Sequence, residues 1–216
     1  MISIAVPKAR LWDESVGFLR ELGFPVPLSS RIFHHTAITD DGDIVAYALK
    51  LPDIAPVVGD RLVDYAIVSD EWLTETNADV VPLVPLCWYH ARVCVLEPQV
   101  PRAASDPVTV ATSFPNIARD WSARRGAAVR TVGGSIEAFP GHLTDVAIDC
   151  VESGATAHLN GLVVAQELMR CDVWLVASAS VDLDSDQTRA VVRAAIASSR
   201  DQHCTYGPRV TAWVPA

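Results

Sequence analysis

Short continuous apolar runs alternate along this chain with stretches whose apolar residues recur every three or four positions, the pattern of buried strands alternating with amphipathic helices. "ISIAVP" (2–7) predicts a buried strand stopped at Pro7. Trp12, Val16, Leu19 and Leu22 follow at helical spacing, with Gly23 placed to cap the helix. "DIVAYALK" (43–50) predicts a second strand, "DIAPVVGDRLV" (53–63) a short helix, "DYAIVS" (64–69) a strand and "ARVCVLE" (91–97) another. The polar, Pro-containing "PQVPRAASDP" (98–107) is the expected boundary between two lobes.

Beyond it, "VTVATS" (108–113), "AAVRTV" (127–132), "DVAIDCV" (145–151) and "DVWLVAS" (172–178) predict strands. "PNIARDWSARRG" (115–126) opens on Pro115 and closes on Gly126, as a helix should, and "SDQTRAVVRAAIASSR" (185–200) predicts another. This alternation points to an α/β fold with mainly parallel pairing. Ligands in such folds lie beyond the C-terminal ends of strands, so polar groups directly after a strand are the ones to weigh.

Composition narrows the partners. The chain has 216 residues, half apolar and a fifth charged, enough for a sizeable core in one domain or two small lobes. A net charge of −9 argues against a nucleic-acid groove but not against a small anionic ligand. No apolar run is long enough to cross a membrane, and "MISIAVPKARLWDE" lacks the apolar span of a signal peptide, so the expected location is cytoplasmic. The five cysteines are scattered without a C-x-x-C, which favours buried reduced thiols. The six histidines show no metal-ligand spacing, and no G-x-S-x-G signals a nucleophilic serine.

Four groups of residues could carry chemistry. Lys8 and Arg10 follow the first strand and suit a phosphate or diphosphate, although a solvated loop explains them equally simply. Gly134-Ser135-Ile136-Glu137 follows another strand and either binds an anion or merely starts a helix. Asp145 and Asp149 share one face of a strand, with Glu152 after them. Acids there suit ribose hydroxyls or magnesium, or satisfy the amides of a turn. Ser153-Gly154-Ala155-Thr156 offers two hydroxyls and several backbone N–H groups to a phosphate, and a helix after it would add its dipole. The tetrapeptide alone is a weak motif, and acids on the strand running into it make the signal more specific.

Taken together the blocks resemble the short-form ATP phosphoribosyltransferases of histidine biosynthesis. That family's P-K-G-R-L corresponds to "VPKARL" (6–11), and its R-P-x-D-I-P and following strand to "KLPDIAP" (50–56) and "RLVDYAIVSDEWLTE" (61–75). Its C-R-L pattern corresponds to "ARV" (91–93), A-T-K-Y-P-N-L-A-R to "ATSFPNIAR" (111–119) and G-S-V-E-L-A-P to "GSIEAFP" (134–140). The block "DVAIDCVESGATAHLNGL" (145–162) completes a collinear match over nearly the whole chain.

The resemblance implies two α/β lobes like those of a type II periplasmic binding protein, with the ligand in the cleft between them. Lobe I would comprise residues 1–95 and 179–216, and lobe II residues 96–178. It also implies a phosphoribosyl diphosphate (PRPP) substrate with magnesium. Ser153, Gly154, Ala155 and Thr156 would hold the 5′-phosphate, with Asp145, Asp149 and Glu152 as the catalytic acids near the ribose. Asp149 and Glu152 would also lie near the magnesium that PRPP carries. Lys8, Arg10, Lys50, Arg92, Ser135 and Glu137 would serve the nucleotide acceptor and the diphosphate. A histidyl-tRNA-synthetase-like regulatory subunit and a homo-oligomer are the implied partners, since only about a strand's worth of residues follows the last helix.

This sequence departs from the family pattern at several cations and one glycine. The glycine of P-K-G-R is Ala9, the arginine of R-P-x-D is Lys50, an expected arginine is Thr109 and an expected lysine is Ser113. The loop T-G-T-T is "SGAT", with His158 where an arginine is expected. Each lost charged hydrogen bond is worth roughly 1.5–3 kcal/mol, which a highly charged ATP acceptor should feel. Two alternatives therefore stand beside the ATP reaction: a divergent phosphoribosyltransferase acting on another nitrogen heterocycle, and a non-catalytic ligand-binding relative.

Overall fold

Ile2–Pro7 forms β1, and the chain continues through α1 (Trp12–Glu21), β2 (His34–Ala37), β3 (Ile44–Leu49), α2 (Leu51–Gly59), β4 (Tyr65–Ser69), α3 (Asp70–Thr76) and β5 (Val80–Pro85). Then come β6 (Ala91–Pro98), β7 (Thr109–Thr112), α4 (Pro115–Ala123), β8 (Ala128–Thr131), β9 (Val146–Val151), α5 (Ala155–Leu159), β10 (Leu162–Cys171), β11 (Val173–Ser178) and α6 (Asp186–Ser198). This computed structural model describes residues 1–25, 27–29, 31–38, 42–100 and 103–200. The short stretch expected after the last helix lies outside them.

The chain divides into two compact units, Met1–Trp88 with the chain from Asp172 onward, and Tyr89–Cys171. The first unit carries a six-stranded sheet in the order β2-β3-β1-β4-β11-β5, the second a five-stranded sheet in the order β10-β6-β9-β7-β8. Both crossings come earlier in the chain than the sequence reading put them. Ala91–Pro98 belongs to the second sheet and Val173–Ser178 to the first. An apolar strand signals burial but not which sheet buries it, and partner choice decides the boundary.

The mainly parallel pairing expected from the alternation is not what forms. β1 pairs in parallel with β3 and β4, and β7 with β8 and β9. β2–β3, β4–β11, β5–β11, β6–β9 and β6–β10 are antiparallel. Parallel neighbours need a helical crossover within one sheet. The strands β6 and β11 instead follow directly on the two crossings between units, so no crossover helix sets their direction.

Local signals nonetheless govern the elements they mark. α1 ends in a Schellman motif, with Gly23 at φ 85°, its N–H donating to the Arg20 carbonyl at 2.9 Å and that of Phe24 to Leu19 at 3.0 Å. Ser185 caps α6 by accepting the Thr188 N–H at 3.1 Å. The first unit's core joins α2 to the sheet through Ile54, Ala55, Val58, Ala66, Val68 and Trp174. The second unit's joins Cys94, Leu96, Ala111, Ile136, Val151 and Ala157. Cys94, Cys150 and Cys171 are free thiols as expected, whereas Cys87 is disulfide-bonded.

Asp70 ties the start of α3 to the point where the chain re-enters the first unit. Its N–H donates to the Asp172 carbonyl at 3.0 Å, and its carboxylate accepts the Asp172 N–H at 2.8 Å. Burial raises its pKa to about 6 against the Asp172 N–H and the Trp174 side chain, which pull it down. The folded state thus holds this proton more tightly than the unfolded chain. The stability this contributes is complete below the unfolded pKa and is lost as pH rises from about 4 through about 6, a loss of roughly 2–3 kcal/mol. Asp70→Asn should flatten that decline, and denaturant melts of both proteins between pH 4 and pH 8 check it. Parallel pH profiles for the two would show that Asp70 does not titrate there.

Candidate active site

In the first unit, the parallel strands β3, β1 and β4 end together and place their following residues side by side. Pro7 is in register with Leu49, and the Lys8 N–H donates to the Leu49 carbonyl at 2.9 Å. Lys8 and Lys50, remote in sequence, therefore become neighbours at two strand ends. With Arg10 they line a cavity of about 600 Å³ bounded by Pro7–Leu11 and Lys50–Pro52. Three of the four expected acceptor and diphosphate cations thus meet at one cavity.

Phe33 joins this end, since its carbonyl accepts the Ala48 N–H at 3.0 Å. The Lys8 ammonium lies 4.1 Å from the centre of its half-exposed ring, a contact worth about 0.5–1 kcal/mol at an exposed site. This aromatic was not foreseen, because a loop residue has no periodicity to betray it.

Ala9 adopts φ 64°, the left-handed conformation that glycine tolerates and alanine resists. A glycine, which the family pattern has at this position, would take that conformation without strain. Ala9→Gly should relieve about 1 kcal/mol of strain and raise the melting temperature by roughly 2–4 °C. A lower melting temperature would mean that the alanine methyl contributes more in packing than the turn costs.

In the second unit β7, β8 and β9 run in parallel, so their C-terminal ends coincide, and antiparallel β6 begins at that same end. Arg92 pairs with Val151 and, on its other side, with Arg170. Cys94 pairs with Asp149 and with Glu167. Directly opposed residues share a face, so Asp149, Arg92, Glu167 and Arg170 lie on one face of this sheet. Arg92 reaches Glu167 at 3.4 Å, and Glu167 also holds Arg170 at 2.9 Å. Burial pushes the Cys94 thiol above its ordinary pKa, Glu167 adds to the rise and Arg92 opposes it.

The loop after β9 is a tight turn leading into α5. Gly154 takes φ 80°, and a β-carbon there would meet only Val151 Cγ1 at 3.9 Å. The turn, rather than space, therefore requires glycine. The Ser153 hydroxyl accepts the Ala155 N–H at 3.3 Å, and Ser153 and Thr156 are both exposed. α5 is only five residues long, so its dipole adds little and the hydroxyls and amides are the usable donors. Ile136, Val151 and Ala157 share one apolar cluster, which seats the Ser135–Glu137 turn beside this loop. Ser135 itself is at φ 52°.

Asp145 is not brought to this place. It precedes β9, and four residues of strand put it roughly 13 Å from Asp149. Its carboxylate accepts the N–H of Thr109 at 2.7 Å, the Thr109 hydroxyl at 2.7 Å, the Ser105 N–H at 2.9 Å and the Ser105 hydroxyl. Burial works to raise its pKa, but these bonds prevail and hold the carboxyl well below the usual range. Shared strand parity was right about the face and silent about the length. Thr109, one of the missing cations, is engaged here rather than at the loop. His158, another, turns its Nδ1 to the Gln99 side-chain nitrogen at 3.1 Å.

Among the described residues no group of three or more histidine, cysteine or acidic side chains could hold a metal. Asp149 and Glu152, near the C-terminal end of β9, supply two hard oxygen donors. That fits magnesium, which takes one or two carboxylates and completes its shell with water and substrate phosphates.

Residues 50–196 match the family model HisG, ATP phosphoribosyltransferase. An ATP phosphoribosyltransferase of Campylobacter curvus is 31% identical over 186 residues, covering 83% of this chain and 88% of that one. The ATP phosphoribosyl transferase (HisG:HisZ) complex from Thermotoga maritima superposes with a TM-score of 0.77 at 20% identity, over 92% of this chain and 98% of that one. The arginine-bound ArgBP of T. maritima shares the fold more distantly, with a TM-score of 0.54 at 12% identity over 91% and 93% of the two chains.

Proposed function

The chain belongs to the ATP phosphoribosyltransferase family, and from that premise we propose that it transfers the phosphoribosyl group of PRPP to a ring nitrogen of ATP with release of diphosphate, the first step of histidine biosynthesis. The observation that carries the reading in this chain's own residues is the end of β9. There Arg92 and Asp149 share a face and the exposed hydroxyls of Ser153 and Thr156 follow.

Displacement at the anomeric carbon passes through an oxocarbenium-like state and needs positioning and charge stabilisation more than a protein nucleophile. Ser153, Thr156 and the loop amides would hold the 5′-phosphate, and Asp149 would face the ribose hydroxyls. Asp149 and Glu152 would hold magnesium, which would supply positive charge to the diphosphate. Arg92 would meet the diphosphate, while Lys8, Arg10 and Lys50 would receive acceptor phosphates. Ser135 and Glu137 would border the same loop. Asp145 would act on the scaffold, through Ser105 and Thr109.

A histidyl-tRNA-synthetase-like regulatory subunit, a homo-oligomer and a cytoplasmic setting complete the proposal. The HisG:HisZ complex of T. maritima supports the first. No helix among the described residues is long and apolar enough to cross a membrane. The test is diphosphate release from PRPP with ATP and magnesium, measured for the chain alone and with such a subunit. Release dependent on ATP is expected in at least one arm. PRPP binding without release in both would favour the non-catalytic relative, and release with another heterocycle but not ATP would favour the divergent acceptor.

A further inference from the structure

Several cations of the family pattern are lost from this chain, yet the second unit holds another, Arg170. Arg170 stands directly across from Arg92 on adjacent antiparallel strands. Like charges so placed repel. One carboxylate serves both guanidinium groups, since Glu167 reaches Arg170 at 2.9 Å and Arg92 at 3.4 Å. The trio keeps a net positive charge, and the Arg170 side chain is largely exposed. The same cross-strand row continues from Arg92 to Val151, the last residue before the Glu152–Thr156 turn.

A register irregularity makes the trio possible. Residues three apart on a regular strand point to opposite faces. Between Glu167 and Met169 the register shifts, so that Glu167 opposes Cys94 while Arg170 opposes Arg92. The irregularity turns Arg170 onto the face that already carries Arg92 and Asp149. Such features commonly re-aim side chains beside active sites.

We infer that Arg92 and Arg170 form a two-guanidinium clamp for the diphosphate group of PRPP, with Glu167 as the residue that positions both. This rests on the PRPP reading above and extends it. Two planar forks suit the paired phosphate oxygens of a diphosphate. Arg170 thereby supplies charge from an edge strand where the family's other cations, at the positions of Ser113 and His158, are absent.

The experiment titrates the unaltered chain and its variants calorimetrically with three probes: magnesium-PRPP, magnesium-diphosphate and ribose 5-phosphate. Arg170→Ala should weaken PRPP and diphosphate by roughly ten- to hundred-fold and leave ribose 5-phosphate unchanged. Arg170→Lys should recover part of the loss, because charge returns without the fork. Glu167→Gln is the sharper probe, since it makes the site more positive. Simple electrostatics predicts tighter diphosphate binding, whereas a positioning role predicts binding several-fold weaker with matching melting curves. Tighter binding by Glu167→Gln, or unchanged diphosphate affinity in Arg170→Ala, overturns the clamp while leaving the PRPP reading intact. Failure of the unaltered chain to bind PRPP, with the regulatory subunit as well as without it, overturns both.

Discussion

The double variant Lys8→Ala/Lys50→Ala is expected to lose about 10²- to 10⁴-fold in kcat/KM for the PRPP and ATP reaction, with little change in melting temperature. Each ammonium stands at the end of a parallel strand and lines the cavity of about 600 Å³ that also takes Arg10. A hydrogen bond from a charged donor is worth roughly 1.5–3 kcal/mol, and two give 3–6 kcal/mol, which is the stated range at 1.4 kcal/mol per factor of ten. The cost to the fold should be small, because the recorded contact is that of Lys8 with Phe33, worth about 0.5–1 kcal/mol. The kinetic split assigns the role. A rise in the KM of ATP with kcat kept would place the lysines on the acceptor, and a fall in kcat would place them on charge that develops in the transition state. An unchanged kcat/KM would remove this cavity from the site.

Ser153→Ala/Thr156→Ala should weaken PRPP by about a hundred-fold or more. Both hydroxyls are exposed and precede or open α5, so both can donate to a phosphate, and bonds to a charged acceptor carry the same roughly 1.5–3 kcal/mol each. Stability should hardly move. Among the described residues, the one bond of either hydroxyl is that of Ser153 with the Ala155 N–H at 3.3 Å, a long bond worth no more than about 0.5 kcal/mol. Titration with ribose 5-phosphate isolates the effect from the diphosphate end. Full affinity in that titration would mean that the loop amides alone hold the phosphate, or that the phosphate sits elsewhere.

Much of this was legible before any fold was known. Pro115 acts through its fixed φ at the start of α4 and Gly23 through bonds within a turn, so their meaning is local and survives in the sequence. The "ESGAT" loop is legible for the same reason, since Gly154 and its neighbours make the turn by themselves. Missed elements fail on the opposite ground. "QELMR" in β10 consists of good helix formers, and only pairing along β6, eight of the strand's ten residues, holds it extended. β2 is short, and α3 spans barely two turns.

The sequence by itself determined the family and the succession of most strands and helices, and it marked the two strand ends proposed here for substrate groups, because apolar period, caps and turn residues act over a few positions. The tertiary structure alone decided which sheet receives β6 and β11, that Asp145 serves Ser105 and Thr109 far from the loop, and that Arg170 faces Arg92. Those outcomes depend on register between strands distant in sequence. Register is a property of two segments together, and a shift of one residue sends a side chain to the other face.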